Sequence, residues 1–211
     1  MPRNSQRREP YKLPGSPFLG QVSLNPGKVQ AGVHPFTIPL LEHEFDLRFK
    51  SPVTFLVGEN GSGKSTLLEG LAWALGFNAQ GGNRDNSYAE GADGHALGRA
   101  LLLSWRQRVS DGFYLRAETF FNFATYLEDV GSTFLAYGGK SFHQQSHGEG
   151  FLALFENRLE DGVYLLDEPE AALSPGRQLT RPSMAFTASG WTGGLTILFP
   201  VVQGFALGLA L

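Results

Sequence analysis

Val53-Thr54-Phe55-Leu56-Val57-Gly58-Glu59-Asn60-Gly61-Ser62-Gly63-Lys64-Ser65-Thr66 is the stretch from which the fold can be read. Val53 to Val57, a β-branched and aromatic run, predicts a buried strand, and the residues that follow fit Gly-x-x-x-x-Gly-Lys-Ser with Gly58, Gly63, Lys64 and Ser65. Glycines allow consecutive backbone N–H groups to turn inward around a phosphate, and a helix starting near Lys64 points the positive end of its dipole at the same place. In that arrangement Lys64 reaches the β- and γ-phosphates of a nucleotide and the Ser65 hydroxyl coordinates Mg²⁺. A glycine-rich turn could match the pattern by chance. The amphipathic run after it, Leu67, Leu68, Leu71, Trp73 and Leu75, supplies the helix that a phosphate loop requires.

Upstream, residues 1–20 carry Pro2, Pro10, Pro14 and Pro17 among charges and read as a flexible arm, with Arg3, Arg7 and Arg8 a solvated basic tail rather than a DNA-binding arm. Gln21 to Leu24 and Phe36 to Phe49 are expected to form two antiparallel strands flanking the base of the nucleotide. Downstream, the phosphate-loop helix is expected to end near Leu75, where Gly76 stops it. Asn78 to Gly98 is polar and glycine-rich and reads as a long surface loop. Ala100 to Trp105 is a short apolar segment, and Gly112 opens a strand running to Glu118. The aromatic series Phe120, Phe121, Phe123 and Tyr126 then reads as core rather than as a base-stacking platform.

Two further segments carry chemistry. Ser146-His147-Gly148-Glu149 has a serine suited to cap a helix and a glutamate three residues on that completes a capping box, leading into the apolar run from Phe151 to Phe155. Val163-Tyr164-Leu165-Leu166-Asp167-Glu168 reads as a buried parallel strand whose carboxyl end meets a ligand. Beside a phosphate loop, Asp167 is the candidate for the Mg²⁺ shell and Glu168 for the base that takes a proton from the attacking water.

Composition narrows the class. The chain has 211 residues, 42% of them hydrophobic, which suits one α/β domain with a sizeable core. Its net charge of −3 gives no global electrostatic reason to bind nucleic acid or an anionic membrane. The absence of cysteine excludes disulfides, thiolate metal sites and a cysteine nucleophile. A polar N-terminus without an apolar core segment does not read as a secretory signal, so a cytoplasmic location is expected.

Taken in order, these motifs resemble the ABC-type ATPases. Gly58-Glu59-Asn60-Gly61-Ser62-Gly63-Lys64-Ser65-Thr66 looks like Walker A, Ser146-His147-Gly148-Glu149 like the signature, and Leu165-Leu166-Asp167-Glu168-Pro169 like Walker B. Ala172-Leu173-Ser174 stands where the D-loop is expected, with Ser174 in place of the common aspartate. The likeness is strongest to a soluble bacterial branch related to chromosome-maintenance and DNA-repair ATPases, and it covers about Pro35 to Leu179. It implies an ATP-binding domain over residues 21–180 with the P-loop NTPase fold, a mixed and largely parallel sheet with flanking helices and an N-terminal antiparallel portion. Its implied cofactors are ATP and Mg²⁺. It also implies a homodimer closing on ATP, in which Ser146 and the Gly148 backbone contact the γ-phosphate held by Walker A of the other copy, and an unidentified protein partner. The family's Q-loop glutamine has no clear counterpart: Gln107 comes too early and Glu118 stands near its place. The ATP-binding subunit of a membrane transporter, and a nucleotide-binding protein with little turnover, stay open as other readings.

The end of the chain departs from the pattern. Every charged residue lies at or before Arg181, and no switch histidine follows His147. Residues 181–211 are thus expected to be an atypical tail, of the kind an altered reading frame or a truncation leaves, with the edge of the parallel sheet exposed. A membrane span over Trp191 to Leu211 fits poorly with Gly193, Gly194, Pro200, Gln203, Gly204 and Gly208.

Overall fold

A computed structural model describes residues 17–41, 44–78, 81–84, 93–129, 134, 139–145, 149–150, 153, 157, 161–168 and 195–202. Two sheets organise them. The first holds β1 (Leu19–Leu24), β2 (Asp46–Arg48) and β4 (Leu101–Trp105), antiparallel in the order β2-β1-β4. The second is parallel and holds β3 (Val53–Gly58), β5 (Gly112–Arg116), β6 (Gly162–Asp167) and β7 (Leu195–Val202) in the order β3-β7-β6-β5. Helices α1 (Lys64–Leu75), α2 (Asp93–Ala100) and α3 (Phe120–Asp129) complete the described elements.

The main core forms where α1 meets both sheets. Leu67, Leu68, Leu71, Ala72 and Leu75 of α1 pack with Leu19 and Val22 of β1, Leu97 and Ala100 of α2, Tyr114 of β5, and Val163 and Leu165 of β6. Burying these aliphatic and aromatic side chains, at roughly 1.5–3 kcal/mol each, makes the Walker A helix the shared layer of the molecule. On the other face of β5, Phe113, Phe120, Phe123 and Phe142 build an aromatic cluster, with Phe113 and Phe123 edge to face at 5.1 Å. All six residues of β6 are buried, as a continuous apolar run in the middle of a parallel sheet requires. Gly112 opens β5 at φ 148°, and a Cβ there would lie 2.1 Å from the Val163 carbonyl oxygen, so only glycine lets β5 come this close to β6.

Several expectations need correction. The first strand begins at Leu19, two residues earlier than Gln21, because Phe18 and Leu19 are fully buried. Among the described residues of Phe36 to Phe49 only Asp46–Arg48 is a strand; Pro39–Leu41 is a 3-10 turn that folds Phe36, Ile38 and Leu41 into the core. The polar stretch from Asn78 to Gly98 is not all loop, since α2 occupies its end. There Leu97 is fully buried against α1, and tertiary packing outweighs the helix-weakening glycines Gly94 and Gly98.

The largest correction concerns the tail. Leu195–Val202 is a strand paired in parallel with β3 on one side, Val53 to Gly58 against Ile197 to Val202, and with β6 on the other, Gly162 to Leu165 against Leu195 to Leu198. Residues 195–202 of the uncharged segment therefore lie in the sheet between β3 and β6, and among the described residues that sheet ends at β3 and β5. Pro200 lies two residues past the last β6 pair, where the missing N–H interrupts nothing on that side. Among the described residues no helix is long and apolar enough to cross a membrane. Residues 1–16 of the arm expected over 1–20, the signature residues Ser146 and Gly148, and the D-loop segment at 172–174 lie outside the described residues, whereas Phe18 and Leu19 of that arm are buried.

Candidate functional site

The phosphate loop joins β3 to α1. Gly61 and Gly63 have φ of 78° and 95°, the left-handed region in which a side chain is strained, and they turn the chain back so that α1 can start at Lys64. Gly63 is needed for a second reason: a Cβ there would come within 2.5 Å of the Ile38 side chain, which packs on the loop from the turn before β2. Gly63, the cap residue of α1, has no side chain to satisfy the first-turn N–H groups, so they keep their capacity for an anion. Lys64 Nζ donates to the Gly58 carbonyl at 2.8 Å, the Glu59 carbonyl at 2.6 Å and Ser62 Oγ at 3.3 Å. The ammonium is thereby held over the loop by its own backbone. Glu59, Asn60 and Gly61 are exposed at the rim, and Ser62 and Thr66 are half-buried beside it.

At the second residue of the helix, Ser65 Oγ donates to Asp167 Oδ1 at 3.0 Å. This bond spans 102 residues of sequence and joins the start of α1 to the tip of β6. Asp167 is 4% exposed. Burial pushes its carboxyl up to about 6, opposed by the Ser65 hydrogen bond and the Arg116 charge, while Glu168 and Glu69 add to the rise. Glu168 follows at φ 50°, a left-handed and strained conformation for a non-glycine residue, and this exposed residue borders a small cavity at the tip of β6. That cavity, about 60 Å³, is lined by Ser65, Arg116, Ala117, Glu118, Asp167 and Glu168.

The donor set suits a hard divalent cation. Among the described residues no three acids converge on one point, so the protein offers one hydroxyl and one carboxylate, with phosphate oxygens and water left to complete the shell. That is how Mg²⁺ is usually held beside phosphates.

The structure thus brings together Gly58, Gly63, Lys64, Ser65, Asp167 and Glu168, which the sequence motifs single out. Sequence reasoning missed Arg116 and Glu69. Arg116 Nη1 pairs with Glu69 Oε1 at 2.7 Å, its Nη2 with Glu118, and its Nε lies 3.7 Å from Asp167 Oδ2. Signals were present: Glu69 is four residues after Ser65, on the same helix face, and Arg116 is the one charge at the end of an apolar strand. Glu118, near the expected Q-loop position, lines the cavity.

Residues 32–109, which include β3, the phosphate loop, α1, α2 and β4, match the family described as AAA domain. Structural maintenance of chromosomes protein 6 of Takifugu rubripes is 38% identical over 87 residues, which cover 39% of this chain and 7% of that protein. The chain thus spans less than a tenth of the length of that relative. No solved structure matches significantly. The AAA domain match and the similarity to a chromosome-maintenance protein relate this chain to the P-loop ATPases.

Proposed function

We propose that the chain binds ATP with Mg²⁺ and hydrolyses it to ADP and phosphate as an ABC-type ATPase. The Ser65 to Asp167 bond is the observation that carries this reading, because it sets the hydroxyl of the phosphate loop against a buried carboxylate at the tip of β6, one strand removed from β3. The loop N–H groups and the α1 N-terminus receive the phosphates, and the Lys64 ammonium moves from the Gly58 and Glu59 carbonyls to β- and γ-phosphate oxygens. Ser65 and Asp167 would hold the metal, which would supply positive charge against the phosphate oxygens. Glu168, which borders the cavity, accepts the proton of the attacking water.

In the same reading two copies close on ATP, and Ser146 and the Gly148 N–H of one contact the γ-phosphate bound by the other. The similarity to a protein named for structural maintenance of chromosomes supports a role in DNA maintenance through a protein partner. Glu168→Gln tests the assignment. Hydrolysis is expected to fall at least ~10²-fold while ATP binding persists and light scattering shows an ATP-dependent dimer. Turnover at the parental rate would place the base elsewhere, and a monomer at saturating ATP would remove the ABC-type mechanism.

A further inference from the structure

Arg116 has no role in the mechanism above, yet its guanidinium stands among the carboxylates of three elements: Glu69 on α1, Glu118 in the loop after β5, and Asp167 at the tip of β6. Its side chain is 16% exposed. Its Nε is buried and has no hydrogen-bond acceptor within range among the described residues, because Asp167 Oδ2 is 3.7 Å away, close enough for charge and too far for a bond. The two oxygens of Asp167 are therefore divided: Oδ1 faces Ser65 and Oδ2 faces the guanidinium.

We propose that Arg116 is a positioning residue that stops Asp167 and its acidic neighbours from taking up a divalent cation alone, so that the cation enters only together with the phosphates of a nucleotide. The inference rests on the reading of Ser65 and Asp167 as the metal position. Without Arg116 the buried carboxylate of Asp167 would have no guanidinium beside it, with the exposed Glu168 and Glu118 at the same cavity adding negative charge that attracts free cations. A fixed guanidinium against Asp167 offsets that attraction. A triphosphate brings several negative charges of its own and overcomes the repulsion, and Glu69 on the far side of the guanidinium gives Arg116 a place to remain paired when the metal engages Asp167. A purely structural tie makes the opposite prediction: loosening Asp167 by losing Arg116 should weaken metal binding, whereas removing a like charge should strengthen it.

The test is Mn²⁺ affinity, followed by the electron paramagnetic resonance of the free ion, for the full chain and for Arg116→Gln and Arg116→Lys, each without nucleotide and with ATP. Arg116→Gln is expected to bind Mn²⁺ alone about tenfold more tightly than the parent. Arg116→Lys, which keeps the charge, is expected to stay within about twofold of it. Unchanged or weaker Mn²⁺ binding by Arg116→Gln overturns the inference. So does a tenfold gain in Arg116→Lys, which keeps the test decisive if the glutamine variant does not fold. A parent that, with ATP present, binds no more Mn²⁺ than the same ATP does without protein overturns the metal position itself, and the inference with it. A parent that binds Mn²⁺ with ATP while Arg116→Gln gains nothing overturns the inference alone.

Discussion

Lys64 donates to two carbonyls and a hydroxyl of its own loop, a pattern that holds its charge over the loop to which the proposed function assigns the β- and γ-phosphates. Lys64→Ala removes the mobile cation of the loop and is expected to weaken ATP binding by ~10²-fold or more, with titration calorimetry as the check; unchanged affinity would mean that backbone N–H groups suffice. Asp167 carries a second residue-scale consequence. Its carboxyl sits at about 6 in the fold against an ordinary 3.8, so the folded state holds the proton more tightly than the unfolded state does. The stability from that proton is complete below pH ~4 and disappears as pH rises through ~6, leaving a buried charge whose cost is on the order of 2–3 kcal/mol above it. Asp167→Asn keeps the shape without the charge. In EDTA its melting temperature is expected to exceed the parental one at pH 8, with the difference closing towards pH 4.5. Equal melting temperatures across that range would show that the carboxylate is better solvated than its burial implies.

At the scale of elements, the contact between α1 and α2 is set by two glycines. A Cβ at Gly98 would come 2.6 Å from Trp73 Cε3 and 2.9 Å from the Gly70 carbonyl oxygen, while one at Gly70 would meet only the Leu97 side chain, at 2.7 Å. Alanine ordinarily stabilises a helix by about 1 kcal/mol over glycine. Gly98→Ala is nonetheless expected to be destabilising by about 1–3 kcal/mol, because the obstacle includes backbone that cannot rotate away. Gly70→Ala should cost less, since Leu97 can change rotamer. Chemical denaturation of the two variants orders them, and a stabilised Gly98→Ala would mean that the helices separate without penalty. The same packing accounts for α2 itself. Trp73 lies under the His95 ring at 5.6 Å and the Arg99 guanidinium at 5.8 Å, so this short, glycine-bearing helix is held mainly by what it covers.

For the whole molecule the decisive element is β7. It holds β3, which leads into the phosphate loop, next to β6, which ends in Asp167, and so sets the spacing across which Ser65 and Asp167 meet. Leu198 has a Cα partner on each side, Thr54 and Leu165. Leu198→Pro places a residue without an N–H inside the paired region and is expected to cost ~3 kcal/mol or more, lowering the melting temperature and abolishing ATP-induced stabilisation together. A parental melting curve would show that the strand is dispensable for the fold. The phosphate loop, the helix after it with its Gly76 stop, and the buried strand ending in two acids were all legible in the sequence, because each is a local pattern: glycines at strained φ, a helical apolar face, and a continuous apolar run. Helix α2 was hidden because its stability comes from α1 rather than from its own residues. Arg116 and Glu69 were hidden because an ion pair between a helix and a strand 47 residues apart leaves no periodic trace. The uncharged tail shows most plainly where local reading ends. Its composition does not mark a strand, and only the tertiary structure shows residues 195–202 paired on both sides, because a slot between β3 and β6 exists only once both strands are in place.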